Sequence, residues 1–359
     1  MCHIFFYTFL FLLASFVQAE NSKQDPALII EQTIQKYMQE KQIPGMAIAL
    51  YYNQKPYFFN FGFADDLSNQ SVTSDTLFEI ASLTKVFTST ALAIQILKSK
   101  MRLSDPVIKY LPNVQKRLQG IGKVTLLQLA THTSGLPRIP PRLPPHRGKK
   151  YHKNSVLHFL SEWQPDRPPG EHYSYSNLGY GVLGYAIADV ENKHYGDSIK
   201  EHILEPLFMK STFLIVPHAY QELYAQGYTK EGNLAERSSV NAWPAGCALR
   251  STSRDLLKFL MASLGIEGPQ ELMQAMELTQ KSFFKINDQL SIGLGWQKYT
   301  TDKLLFVDKN GQVPGFSSYI GLLPNQKIGI VLLANKGKTQ ITKTGRDLLE
   351  RLFEASQMK

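Results

Sequence analysis

Near the C-terminal end, Phe316 to Leu323 (FSSYIGLL) and Ile328 to Ala334 (IGIVLLA) read as two strands, and their counterparts lie far upstream. Gly45 to Tyr52 (GMAIALYY) and Lys55 to Ala64 (KPYFFNFGFA) also read as strands, with Asn53-Gln54 between them as a hairpin turn. Leu294 to Tyr299 and Leu304 to Asp308 add two more strand-like runs. The middle of the chain has a different period. Ser82 to Lys98 contains no Gly or Pro and reads as a long, largely buried helix. From there to about Gln280 the pattern is mostly helices and irregular loops, as in Leu126 to Thr131, Ser176 to Val190 and Ser253 to Leu264. Helical patterns also occupy Asp25 to Ile43 and about Ile341 to Phe353. The expected fold is therefore α+β. One antiparallel sheet is built from both chain ends and flanked by the terminal helices, and a helical lobe, roughly residues 82–280, is inserted between its halves. Clefts commonly form at such a junction.

Composition agrees with a large folded domain. The 359 residues are 43% hydrophobic and 19% charged, which excludes disordered and fibrous classes. A formal net charge of +9 bears on partners rather than on fold. Nucleic acid, anionic membranes and acidic cell-wall polymers all fit that charge, and the N-terminus separates them. Ile4 to Val17 (IFFYTFLFLLASFV) is an apolar run followed by Val17-Gln18-Ala19, suited to signal-peptidase cleavage before Glu20. The run is short for a membrane span, and an uncleaved anchor is the alternative reading. The expected organisation is a signal peptide at 1–19, an exported domain at 20–359, a periplasmic or secreted location, and no nucleic-acid partner.

Cys2 falls in the presumed signal, leaving Cys247 alone. The mature chain then has no internal disulfide and no cysteine-based metal site, and Cys247 reads as a small core residue. Leu136 to Lys153 (LPRIPPRLPPHRGKKYHK) is rich in Pro, Arg and Lys and holds no acidic residue. It reads as an extended solvated loop, or as a cationic lip attracting an anionic substrate or cell-wall polymer.

Three short elements carry chemistry. In Phe78-Glu79-Ile80-Ala81-Ser82-Leu83-Thr84-Lys85, a Ser and a Lys three apart project from one face at the start of an apolar helix. Free serine is a weak nucleophile and needs an adjacent base. A Lys in an otherwise buried helix needs a partner or a role. In Pro169 to Tyr180 (PGEHYSYSNLGY), Tyr175 and Asn177 are two apart in an extended segment and point to one side. A tyrosine-rich loop packed on the core would look the same. In Lys309-Asn310-Gly311-Gln312, a Lys-x-Gly at a strand end can offer an ammonium and an approachable backbone to a carboxylate. Asn310-Gly311 also reads as an ordinary hairpin turn.

Together these three elements resemble the penicillin-binding protein and serine β-lactamase superfamily. They are most similar to class C β-lactamases and the related D-alanyl-D-alanine carboxypeptidases and esterases. Tyr175-Ser176-Asn177 looks like the Tyr-x-Asn form of that group. The flanks Leu126 to Pro137 (LLQLATHTSGLP), Ala245-Gly246 with Ser251-Thr252, Gly293-Leu294-Gly295-Trp296 and Leu333-Ala334-Asn335 also resemble it. The resemblance implies an acyl-enzyme route. Ser82 is the nucleophile, Lys85 and Tyr175 share its proton, and the backbone N–H groups of Ser82 and Gln312 form an oxyanion hole. Lys309 holds a substrate carboxylate, Asn177 donates to a substrate amide, and Asn310, Gly311 and Gln312 line the substrate. For Tyr175 to act as an anion near neutral pH it needs about three pKa units of help, with Lys85 and Lys309 as the source. The alternative is a neutral Lys85 beside a protonated Tyr175.

The same resemblance implies no cofactor, no metal and a monomer. The expected substrates are β-lactams or D-alanyl-D-alanine peptides, with a carboxylesterase or a non-catalytic penicillin or muropeptide sensor as alternatives. Lys343-Thr344-Gly345 also spells the third motif, but it opens the terminal helical pattern and is read as a decoy. His132 has no suitably spaced partner ligand and is read as structural. Three departures bear on substrate. Asn310 stands where the family's third motif usually has Thr. The stretch from Trp296 to Lys309 is short, which implies a more open cleft on that side. Ile139 stands near a position where class C enzymes place a Gln.

Overall fold

The computed structural model describes residues 25–140, 153–238 and 243–358. The presumed signal peptide and most of the basic loop 136–153 lie outside the described residues.

Eleven strands are described. They are β1 (Gly45–Tyr52), β2 (Lys55–Asp65), β3 (Gln70–Ser71), β4 (Phe78–Glu79), β5 (Arg250–Ser251), β6 (Phe284–Lys285), β7 (Leu290–Ile292), β8 (Gln297–Thr300), β9 (Leu305–Val313), β10 (Phe316–Leu323) and β11 (Ile328–Ala334). Nine of them form one antiparallel sheet in the order β3-β2-β1-β11-β10-β9-β8-β7-β6. The two ends of the chain meet at its centre, where β1 pairs with β11 and Ile48 lies opposite Leu332. The Asn53-Gln54 turn has positive φ at both residues, as a two-residue hairpin with the twist of its strands requires.

Strands β1, β10 and β11 are buried along their whole length. They can be, because both faces of the sheet are covered. Met46, Ile48 and Leu50 pack with Ile330 and Leu332 against the terminal helices α1 (Pro26–Lys41) and α5 (Ile341–Gln357). Ala47, Ala49, Val331 and Leu333 face the inserted lobe. Helix α1 begins at Asp25, whose side chain accepts the Ala27 N–H, with Pro26 in the first turn where no N–H is needed.

The lobe carries α2 (Thr84–Leu97), α3 (Asn177–Glu191) and α4 (Ser253–Ser263), with shorter helices at Leu126–Ala130, Lys153–Glu162, Tyr195–Ile199, Pro244–Cys247 and Gln270–Thr279. It is not wholly helical, because β4 pairs with β5 at its base. That pair places Phe78 and Glu79 just ahead of Ser82. Among the described residues no helix is long and apolar enough to cross a membrane.

Two expectations need correction. The helix expected from Ser82 opens as a 3-10 turn, Ala81–Leu83, and becomes α-helical at Thr84. The strand expected to end at Asp308 continues to Val313, so Asn310-Gly311 is not a turn. The reason is pairing. Asn310 lies opposite Tyr319 and Gly311 opposite Ser318, and the chain reverses instead at Pro314-Gly315.

Candidate active site

The turn bearing Ser82 is held from several sides. Ile80 N–H donates to the Leu249 carbonyl at 3.1 Å, and Leu83 N–H donates to the Ile80 carbonyl at 3.0 Å. The Ser318 hydroxyl, from β10, also donates to Ile80 O at 2.8 Å. Ala81 has φ +48, an uncommon value for a residue with a side chain. Just upstream, the buried Glu79 carboxylate accepts from the Tyr224 hydroxyl at 2.8 Å and from Ser238 N–H at 2.7 Å.

Helix α2 is buried on every side from Thr84 to Gln95. Most of its buried polar atoms find partners, Gln95 Oε1 being an exception. Thr88 donates to Ala245 O at 2.7 Å, and Ser89 bonds the Tyr180 hydroxyl at 3.0 Å. Lys85, fully buried, donates to Gly246 O at 2.6 Å, to Asn177 Oδ1 at 2.7 Å and to Ser82 Oγ at 3.3 Å. Burial pushes its ammonium down to about 7; Arg138 adds to the fall, and Cys247 opposes it. An amine that loses one proton keeps two N–H groups, one each for Gly246 and Asn177. Its lone pair then faces Ser82 Oγ.

Tyr175 closes the other side of the serine, with its hydroxyl 2.6 Å from Ser82 Oγ. The loop carrying it is pinned to residues 132–138. Ser174 N–H donates to His132 O at 2.7 Å, Ser176 Oγ donates to Pro137 O at 2.7 Å, and Asn177 N–H donates to Arg138 O at 3.0 Å. Ser176 also caps α3 by accepting Gly179 N–H. Asn177 is therefore the first residue of a helix rather than part of an extended run, yet it reaches the same cluster as Tyr175.

His132 lies beneath this loop, buried, its ring centre 4.3 Å from that of Tyr175. Its Nδ1 accepts Ser176 N–H at 3.1 Å. Burial, reinforced by Lys309 and Lys85, pushes the imidazole well below the ordinary histidine range. It sits as a neutral ring supporting Tyr175. Among the described residues no group of His, Cys, Asp or Glu could hold a metal ion.

The third motif arrives on the edge of β9. Strand β8 pairs with β9 only as far as Asp308, so Lys309 to Val313 present an open edge on that side. Gly311 sits so close to the serine turn that an added Cβ would lie 2.4 Å from Ile80 O and 2.9 Å from Ser82 N. The glycine is needed for this approach and not for a turn. Lys309 is 3% exposed, and burial lowers its ammonium from the ordinary lysine value. Its Nζ lies 5.0 Å from the Tyr175 ring centre, and no oxygen among the described residues accepts a hydrogen bond from it. The Nζ is not one of the fully buried unpaired polar atoms, so it meets the cleft, where a ligand can supply the acceptor. Asp308 next to it does not, being held by Arg346 Nε at 2.6 Å and Nη2 at 3.1 Å. Asn310 is half-buried, and Gln312 is exposed.

The structure thus brings Ser82, Lys85, Tyr175, Asn177, Lys309 and Gly311 together, with Asn310 and Gln312 on the same edge. Lys343 lies elsewhere, on α5, paired with Asp347. The sequence reading missed two groups. The Gly246 carbonyl, which receives Lys85, is a backbone atom and leaves no composition signal. The Arg138 guanidinium, 5.3 Å from the Tyr175 ring centre, was visible only as part of a basic loop.

Comparison with known proteins points the same way. The family model Beta-lactamase matches residues 30–352. A β-lactamase of Yersinia enterocolitica is 30% identical over 361 aligned positions, covering 91% of this chain and 91% of its own. A solved class C β-lactamase superposes with a TM-score of 0.83 at 29% identity, covering 90% of this chain and 95% of its own. A D-alanine carboxypeptidase AmpC from Burkholderia cenocepacia superposes with a TM-score of 0.81 at 30% identity, covering 91% and 99%.

Proposed function

Because the chain belongs to the Beta-lactamase family, we propose that it is a serine hydrolase that opens β-lactams or D-alanyl-D-alanine peptides through an acyl-enzyme on Ser82. The observation that carries this reading is the double contact on Ser82 Oγ, with the Tyr175 hydroxyl at 2.6 Å and the Lys85 amine at 3.3 Å.

Lys85, lowered to about 7 by burial, is substantially neutral at physiological pH and takes the serine proton as Oγ attacks the carbonyl carbon. The Tyr175 hydroxyl passes that proton to the departing nitrogen, and in the second half of the reaction it orients the water that releases the acyl group. The backbone N–H groups of Ser82 and Gln312 receive the oxyanion; the close approach of β9 to the serine turn supports this pairing. Lys309 takes the substrate carboxylate, in keeping with an ammonium that has no oxygen acceptor among the described residues. Asn177, whose Oδ1 is engaged by Lys85, offers its amide N–H to the acyl side of the substrate. Asn310 and Gly311 complete the wall.

The cleft is open beside β9, since β8 and β9 are joined only by residues 301–304. That favours peptides as well as β-lactams. We place the enzyme outside the cytoplasm, on the strength of the Ile4 to Val17 run, and take it as a monomer with residues 136–153 meeting anionic cell-wall polymer.

A time course of labelling with a fluorescent penicillin tests this. Label that forms and decays within the assay identifies a β-lactamase, and slow decay with release of D-alanine from peptides identifies a carboxypeptidase. Absence of label with turnover of short acyl esters would replace the reading with a carboxylesterase. Permanent label without peptide turnover would make the protein a sensor.

A further inference from the structure

Three basic groups surround the Tyr175 ring. Lys85 Nζ lies 4.8 Å from its centre, Lys309 Nζ 5.0 Å and the Arg138 guanidinium carbon 5.3 Å. Two of them are buried and have work in the reaction already described. Arg138 differs. It is exposed, and among the described residues no carboxylate pairs with it. Arg254, Arg346 and Arg250 are matched by Asp75, Asp308 and Glu79, while Arg237 and Arg351 bond neutral oxygens away from Ser82.

The root of the side chain is fixed. Arg138 O accepts the N–H groups of Asn177 at 3.0 Å and Leu178 at 3.3 Å, so residue 138 sits directly against the start of α3. The neighbouring Pro137 O accepts from Ser176. Arg138 therefore stands beside Asn177, the residue read above as facing the acyl part of the substrate, while Lys309 arrives on the separate edge of β9. Its guanidinium carbon, 5.3 Å from the centre of the Tyr175 ring, lies within electrostatic reach of the reacting atoms.

We propose that Arg138 is a specificity-determining residue that binds a second anionic group, carried on the acyl portion of the substrate. The enzyme then prefers substrates with one carboxylate for Lys309 and another acidic group on the opposite side of the scissile bond. Peptides with an acidic residue in the acyl part and penicillins with a carboxylated side chain are of this class. A guanidinium suits the task because it presents a planar set of N–H donors to a carboxylate, whereas a lysine would offer only a point charge. The inference rests on the acyl-enzyme reading above.

The test uses a matched pair, benzylpenicillin and α-carboxybenzylpenicillin, which differ by one side-chain carboxylate. Acylation efficiency is measured by mass for the full chain and for Arg138→Gln and Arg138→Lys. The expected result is a loss of about tenfold for the carboxylated penicillin in Arg138→Gln, the scale of one charge-assisted hydrogen bond at a partly solvated site. Beyond a change common to both penicillins through Lys85, the loss should fall on the concentration dependence for the carboxylated one, with partial recovery in Arg138→Lys. Thermal melting should be unchanged, since the backbone carbonyl and not the side chain holds the loop. Equal losses on both penicillins would overturn the proposal and leave Arg138 as a general electrostatic influence on Lys85. A parent enzyme acylated by neither penicillin would overturn the acyl-enzyme reading itself, and this proposal with it.

Discussion

Of the chain's four Lys-x-Gly tripeptides, Lys309-Asn310-Gly311 and Lys343-Thr344-Gly345 come nearest the family's third motif, and their surroundings have little in common. Lys309-Asn310-Gly311 lies on the open edge of β9, with a buried lysine that finds no oxygen acceptor and a glycine pressed against the serine turn. Lys343-Thr344-Gly345 lies in the first turns of α5, with a solvated lysine paired to Asp347 and a glycine packed on the Tyr319 ring. The second spells the family's motif more faithfully, and the first has the geometry. What distinguishes them is physical: an unmatched charge in a buried place and a backbone that approaches another backbone. Letters alone carry neither property.

Four substitutions probe this contrast. Gly311→Ala should have the largest effect. Its Cβ meets two backbone atoms that cannot swing aside, and pushing β9 from Ser82 disrupts the oxyanion pairing, worth about 10²–10³ in rate. Steady-state hydrolysis with a melting curve checks this, and near-normal turnover would show that the edge does not serve the reaction. Lys309→Ala should cost about 10–10²-fold on carboxylate-bearing substrates, the scale of a hydrogen bond to a charged group, and far less on neutral esters. Equal losses on both would assign Lys309 to the proton relay instead.

Gly345→Ala acts on the other member of the pair. Its Cβ would lie 2.2 Å from the buried Tyr319 ring, so overpacking of about 1–3 kcal/mol should lower the melting temperature by a few degrees. Activity per folded molecule should persist. Lys343→Ala should change activity by less than about twofold, as a surface substitution does. A large loss from Lys343→Ala would reverse the assignment of the third motif.

The contrast also shows what could be read from the residues. β1, β10 and β11 were legible because short apolar runs rich in aromatic or β-branched residues, bounded by turn residues, mark strands that a sheet covers on both faces. Ser82 and Lys85 were legible because spacing on one helix face is local; the 3-10 opening of that helix left the spacing usable. The extent of β9 was hidden, since Asn310-Gly311 has the local chemistry of a hairpin turn. Pairing with Tyr319 and Ser318 overrides it. The pair β4 and β5 was invisible because two-residue strands joined from distant parts of the chain leave no periodicity, as with Phe78 opposite Ser251. The acceptor role of Gly246 depends on where Pro244–Cys247 docks against α2. Arg138 was visible as a charge in a basic stretch, and only its place beside Asn177 gives that charge a target.

Ser82 acylation measured as a function of pH tests the central claim most directly. The measurement uses a saturating penicillin, rapid quenching and mass mapping of the modified peptide. Lys85 has its ammonium lowered to about 7, and it accepts the serine proton only when unprotonated. The expected result is an adduct confined to the peptide containing Ser82, with a rate that plateaus above about pH 7 and falls about tenfold per pH unit below it. An adduct on another residue, or a Ser82 acylation rate that stays flat or rises as the pH drops through this range, would contradict the account.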